Sequence, residues 1–304
     1  MGRAFCTLDV FTADPLSGNP LAVVLDCDGL STEDMQAVAR EFALSETVFV
    51  LPPEKAGHSA KVRIFTPTTE IPFAGHPTVG TAILLASRRQ HGNGRPEDAI
   101  VVLETGIGPV RAGVRLSPGE AGFAEFDVVK LPEEAGTPSH DDRLAAALGL
   151  APNEIGFENH HASRYTAGNP FTFVPVQGLE SIGRCSVVAQ HWREAFAKDA
   201  LAMAFVYCRE TVHTHASFHA RMFAPLVLPG AEDPATGSAA AAFAAVVHRF
   251  DGPPDGLHSC LIEQGYEMGR PSAIHLEFEI AGGGLRAVRI GGHAVLVSQG
   301  ELDI

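Results

Sequence analysis

The sequence predicts an α+β fold of two pseudo-symmetric domains, each a curved, mostly antiparallel sheet around a central helix. Three observations predict it. First, three landmarks recur in the same order. Gly18-Asn19-Pro20 returns as Gly168-Asn169-Pro170, and Arg63-Ile64-Phe65-Thr66-Pro67 returns as Arg221-Met222-Phe223-Ala224-Pro225. His76-Pro77-Thr78-Val79-Gly80-Thr81-Ala82 returns as Asp233-Pro234-Ala235-Thr236-Gly237-Ser238-Ala239. Second, each set ends in an apolar helical run, TAILLA in the first half and AAAAFAAVV in the second. Third, short segments with β-branched residues and alternation separate the helices, as antiparallel sheet requires.

The elements follow in order. Each Gly-Asn-Pro runs into an apolar strand, LAVVL in the first half and FTFVPV in the second. Ser45-Glu46-Thr47 leads into the strand-like VFVL. VVLETG, GPVRAGVRLS, AEFDVV, AMAFVYC, AIHLEFEI and AVLVSQGEL supply further strands. The halves are about 150 residues each, an ordinary domain size. They are placed at 1–130 and 131–304, with a return of the C-terminal strand to the first half left open. The linker is expected near Lys130–Asp142, which is polar and carries two prolines. In the second half Asp233 reads as a helix N-cap and Pro234 as the first helical residue. Ala239–Val247 reads as a buried helix. The register of the landmarks sets His76 and Asp233 at equivalent positions.

Composition narrows the function. A chain of 304 residues with 45% apolar and 19% charged residues is globular with a sizeable core. The net charge of −14 argues against nucleic acid or an anionic membrane as partner, since both call for a basic surface. It leaves room for an anionic substrate, because helix dipoles act locally. Five scattered cysteines without a Cys-x-x-Cys suggest reduced thiols in the cytoplasm. The start, MGRAFCTLDVF, lacks the apolar run of a signal peptide, and Ala239–Val247 is too short to span a bilayer.

Paired domains commonly place ligands in the cleft between them. If both helices start there, the Gly75-His76 and Gly237-Ser238 amides would receive a substrate carboxylate. His76 and Asp233 would then offer titratable groups from opposite halves for moving a proton. His160-His161 and His213-x-His215 have metal-like spacings, but no zinc signature surrounds them, so no metal is expected. Phosphate-loop and dinucleotide fingerprints and the Gly-x-Ser-x-Gly elbow are absent as well. No cofactor is therefore expected. Spacing alone does not single out Glu46, since a glutamate at a strand entry is usually solvated.

FTADPLSGNPLAVV, LSETVFV, RIFTPTTEIPFAGHPTVGTA, EDPATGSA and GYEMGRPS together resemble the phenazine-biosynthesis isomerase-like (PhzF-like) family, nearly end to end. That resemblance implies the diaminopimelate-epimerase fold and a cofactor-independent isomerase. It implies Glu46 as the proton carrier, assisted by His76, Asp233 and Ser238. Relatives that racemise amino acids use two thiols at these helix starts. The corresponding windows here, Ala74-Gly75-His76 and Asp233-Pro234-Ala235-Thr236, hold no cysteine. The expected reaction is a proton moved between carbons of a small carboxylate. A non-thiol epimerase and a non-catalytic binding protein are the alternatives, and a homodimer stays open.

Overall fold

The computed structural model describes residues 2–89, 95–228 and 230–304. It divides into two compact units. The first comprises residues 1–127 and 291–304, and the second comprises 128–290.

The first unit runs β1 (Arg3–Val10), β2 (Asn19–Val24), α1 (Thr32–Phe42), β3 (Thr47–Leu51), β4 (Ala60–Phe65), β5 (Glu70–Ile71), α2 (Gly75–Arg89), β6 (Glu97–Thr105), β7 (Gly108–Leu116) and β8 (Gly122–Asp127). The second begins with β9 (Glu133–Glu134), α3 (Asp141–Leu148), β10 (Ser163–Thr166), β11 (Pro170–Pro175), α4 (Leu179–Arg184), α5 (Ala189–Phe196) and β12 (Ala204–Cys208). It continues with β13 (Phe218–Phe223), β14 (Glu232–Asp233), α6 (Gly237–Asp251), β15 (Gly256–Gln264) and β16 (Ser272–Ala281). The last strand, β17 (Gly284–Leu302), begins in the second unit and ends in the first, where it pairs antiparallel with β1. The segment expected to be a linker contains β9, which pairs with β10, and runs into the start of α3.

Both units use one wiring. In the first, β1 pairs antiparallel with β2, β2 parallel with β3, and β3 antiparallel with β4. Strand β4 then pairs antiparallel with β5 and parallel with β6, which pairs antiparallel with β7. The second repeats this sequence with β10, β11, β12, β13, β14, β15 and β16. The helix before β3 has its counterpart in the α4–α5 segment before β12.

Helices α2 and α6 are buried over most of their length, as a helix apolar all round must be. Ala239–Val247 is buried at every position. Phe243 sits among Phe173, Phe205, Tyr207 and Phe218, with ring centroids 4.8 to 5.8 Å away. On α2, a Cβ on Gly80 would lie 2.7 Å from Leu21 Cδ2 and 2.8 Å from Val10 Cγ2. Gly80 therefore lets the helix lie close on β1 and β2.

The repeated motifs hold the same interactions in both units. Arg63 grips Glu70 with two hydrogen bonds of 2.7 and 2.6 Å, and Arg221 grips Glu232 at 2.8 and 2.9 Å. Each guanidinium lies over the phenylalanine two residues on, Phe65 at 5.1 Å and Phe223 at 4.7 Å. Glu104 accepts the Glu54 and Lys55 amides and contacts His58. Glu263 accepts the Val212 and His213 amides and contacts His219.

The strand ladders give the true register of the repeat. Ile64 faces Ile71 and Met222 faces Asp233. The counterpart of Asp233 is thus Ile71, not His76. Both helices start four residues beyond this pair, at Gly75 and Gly237, so His76 corresponds to Ser238. The cause is a longer hairpin in the second unit: Arg63 and Glu70 are 7 residues apart, Arg221 and Glu232 are 11 apart. Gly80-Thr81 mimics Gly237-Ser238 in sequence while lying in the second turn of α2. Asp233 is correspondingly not an N-cap. It is a strand residue, Thr236 holds the cap position, and Pro234 precedes the helix.

Candidate active site

Each unit carries its own set of chemically capable side chains around the start of its central helix. In the first, α1 ends at Ala43 in the left-handed conformation, with its N–H returned to Ala39. This reverses the chain and delivers Glu46 to the entry of β3. His76 is the second residue of α2 and is only 5% exposed. The Glu46 side chain keeps 18% exposure, and its Oε2 lies 3.6 Å from His76 Nε2.

That separation exceeds a hydrogen bond. Burial pushes the imidazole pKa down to about 3, opposed only by a hydrogen bond to the Pro20 backbone. The ring is therefore neutral near pH 7, and the contact is not an ion pair. His76 Nε2 is buried and has no hydrogen-bond partner. The bond to the Pro20 carbonyl is then made by Nδ1, which carries the proton, and Nε2 presents a lone pair beside the carboxyl. Pro20 belongs to the Gly-Asn-Pro landmark, so that landmark holds the His76 ring.

In the second unit Asp233 is buried on β14, 8% exposed. Its Oδ2 accepts the Thr236 hydroxyl at 2.5 Å. Ser238 opens α6 as its second residue and is half-buried, whereas its neighbours Gly237 and Ala239 are buried. Gly75 and Gly237 are the first residues of their helices, so the amides assigned to substrate binding do lie at helix starts.

The ladders also show where the halves differ. Thr47 and Ala204 occupy equivalent positions, opposite Phe65 and Phe223. The counterpart of Glu46 is therefore Met203, as that of Asp233 is Ile71. Each unit contributes one carboxyl at a position where the other has an apolar side chain.

The histidines with metal-like spacing serve other ends. His160 bonds Tyr207 through Nδ1 at 2.9 Å and Asp251 through Nε2 at 2.8 Å. His213 stacks on His215 at 5.5 Å. Among the described residues, no group of three or more side chains is placed to hold a metal ion. No helix among them is long and apolar enough to cross a membrane.

The first unit has a glutamate and a neutral histidine near the start of its central helix, and the second has an aspartate and a serine near the start of its own. The family described as phenazine biosynthesis-like protein matches residues 8–300, and the chain belongs to that PhzF family of isomerases. An uncharacterized isomerase of Mesorhizobium japonicum is 54% identical, over 99% of both chains. The trans-2,3-dihydro-3-hydroxyanthranilate isomerase of Pseudomonas aeruginosa is 36% identical, over 98% of both. A solved Bacillus anthracis phenazine biosynthesis protein of the PhzF family matches with a TM-score of 0.88 at 27% identity, over 100% of both chains.

Proposed function

We propose that the protein moves a proton between two carbons of a small carboxylate substrate, with Glu46 as the carrier. One observation carries this reading. Glu46 is a partly exposed carboxyl beside a buried, neutral histidine whose facing nitrogen is an unfilled acceptor. Glu46 as carboxylate takes the proton from one carbon. Once protonated, its O–H can turn to the His76 Nε2 lone pair, which holds the proton in place until it is returned to the second carbon. The ring keeps its own proton on Nδ1 throughout. A histidine that stays neutral offers a resting place for the proton without trapping it as imidazolium.

The same proposal gives Asp233 and Ser238 the assisting roles, and the Gly75-His76 and Gly237-Ser238 amides the substrate carboxylate. Helix starts favour anions, which supports that assignment. No residue of the scheme calls for a metal or an organic cofactor.

The first substrate to test is trans-2,3-dihydro-3-hydroxyanthranilate, on which the Pseudomonas relative acts by name. The reaction is run in deuterium oxide and followed by NMR. A displaced double bond with a new C–H or C–D bond at another carbon is the expected result. Inversion at one stereocentre with solvent deuterium retained there would make the protein an epimerase instead. If this compound is not turned over, a thermal-shift screen of cyclic and amino carboxylates finds the ligand, because a binder raises the melting temperature by mass action. Activity should survive a chelator; complete loss would contradict the proposed chemistry.

A further inference from the structure

The matching hairpins β6–β7 and β15–β16 close with different turns. The parallel ladders pair Lys61 with Glu104 and His219 with Glu263, so Lys61 corresponds to His219 and Thr105 to Gln264. Thr105 faces Gly108 across the first hairpin, and Gln264 faces Ser272 across the second. Gly106 and Ile107 make the first turn, whereas residues 265–271 make the second. Both turns set out from the same spot. A Cβ on Gly106 would lie 2.8 Å from Pro72 Cα, and one on Gly265 would lie 3.1 Å from Pro234 Cα.

The longer turn folds back over its own sheet. Glu267 Oε1 lies 3.1 Å from His219 Nε2, and its Oε2 lies 3.9 Å from Arg221 Nε. The Tyr266 ring lies 5.3 Å from that of His219 and 5.9 Å from that of His213. Burial disfavours charge on both His219 and Glu267. The bonds of His219 to Glu267 and Glu263 still raise its pKa, and the contacts with His219 and Arg221 still lower that of Glu267. The second unit thus lays an aromatic ring and a carboxylate, side by side, on a surface made by His213, His219 and Arg221.

The first unit repeats this surface beneath a shorter turn. Lys61 and Arg63 stand where His219 and Arg221 stand. Glu104 accepts the Glu54 and Lys55 amides as Glu263 accepts those of Val212 and His213, so Lys55 corresponds to His213. Here a cavity of about 570 Å³ opens, with Lys55, Lys61, Arg63, Glu70, Glu104 and Gly106 in its wall. That is an ordinary size for a small-molecule site. Its own carboxylates are no obstacle. Glu70 and Glu104 match Glu232 and Glu263, and the second unit accepts Glu267 beside those. Lys61 pairs with Glu54, but the two side chains are 38% and 68% exposed. An exposed pair of this kind contributes at most about 1 kcal/mol, so Lys61 is free to turn toward a ligand.

We propose that this cavity is a binding site for an aromatic carboxylate, whose ring lies between Lys55 and Lys61 and whose carboxylate meets Lys61 and Arg63. The ligand takes the place that Tyr266 and Glu267 fill in the second unit. Ammonium groups against a ring and charge-assisted bonds to a carboxylate supply the recognition. The wall is made of residues other than those of the candidate active site, so the two sites fill independently.

The sequence itself provides the probe. The chain has four lysines, Lys55, Lys61, Lys130 and Lys198, and two of them line this cavity. The full chain labelled with 15N-lysine therefore gives four backbone amide signals, each assigned by substitution. Titration with 3-(4-hydroxyphenyl)propionate should move the Lys55 and Lys61 signals along one saturating curve and leave those of Lys130 and Lys198 in place. Lys61→Met, read through Lys55, should weaken binding at least ~10-fold through the lost charged contact. Lys55→Met, read through Lys61, should weaken it less. Tyramine, which has the ring and an ammonium in place of the carboxylate, should not bind. Glu46→Gln should leave the curve unchanged. Shifts that never saturate, that survive Lys61→Met and Lys55→Met, that tyramine reproduces, or that vanish in Glu46→Gln would each overturn the proposal.

Discussion

The two units are wired alike, yet their helix entrances carry different chemistry. Where the first has Glu46 and His76, the second has Met203 and Ser238. Where the second has Asp233 and Thr236, the first has Ile71 and Ala74. Against this, the Arg–Glu forks and the loop-anchoring Glu104 and Glu263 are the same in both. The residues that obey the pseudo-symmetry hold the fold, and those that break it are the candidates for chemistry.

The symmetric elements offer the largest expected effect. Arg221 is 9% exposed and also donates to the Ile182 and Cys185 carbonyls, while Glu232 is 14% exposed. Arg221→Ala leaves the largely buried Glu232 unpaired, which should cost about 3 kcal/mol in urea unfolding. The equivalent Arg63→Ala acts on a pair that is 22% and 39% exposed, and should cost about 1 kcal/mol or less. Equal losses would break the claim that the same fork is buried in one unit and solvated in the other.

A second effect belongs to His76 alone, since its counterpart is a serine. Its pKa is held at about 3 in the folded chain against 6.5 unfolded, so below pH 6.5 the unfolded state binds the extra proton. Stability contributed by the neutral ring is complete above pH 6.5 and is lost as pH falls toward 3. The slope should approach 1.4 kcal/mol per pH unit, or about that. His76→Gln should remove this slope from the melting curve; an unchanged slope would mean that the imidazole is not held neutral.

The smallest effect is the stability change in Asp233→Ala. Read as a helix cap, Asp233 would stabilise α6 directly. As a strand residue bonded to Thr236, it should cost about 1 kcal/mol through the lost hydrogen bond. Thr236→Val should cost a similar amount, and the double mutant should cost less than the sum. Strict additivity in urea melts would separate the two residues.

Much of this organisation is legible in the sequence. Gly-Asn-Pro and Arg-x-Phe-x-Pro mark true equivalents, and the alanine run marks the buried helix. The register of the helix starts is not legible. A hairpin longer in one half shifts them, and Gly80-Thr81, a packing glycine and its neighbour, imitates Gly237-Ser238. Glu46 comes to notice through the family resemblance, because a glutamate before a strand is ordinary. Its contact with His76 depends on how α1 turns into β3, which no local pattern encodes. Thr236 escapes a search of the sequence for titratable residues, since it does not titrate. The signal that finds it is the ladder register, which shows where one half turns polar.

The central claim is that Glu46 carries the proton. Glu46→Gln keeps the size and removes the base, while Met203, at the same place in the other unit, shows that the fold does not need the charge. Rate measurements on a substrate that the wild-type chain isomerises, paired with urea melts, test it directly. The account predicts a fall in kcat of at least ~10²-fold with stability nearly unchanged. Near-full turnover in Glu46→Gln, with turnover abolished in Asp233→Asn, would make Asp233 the carrier and contradict it.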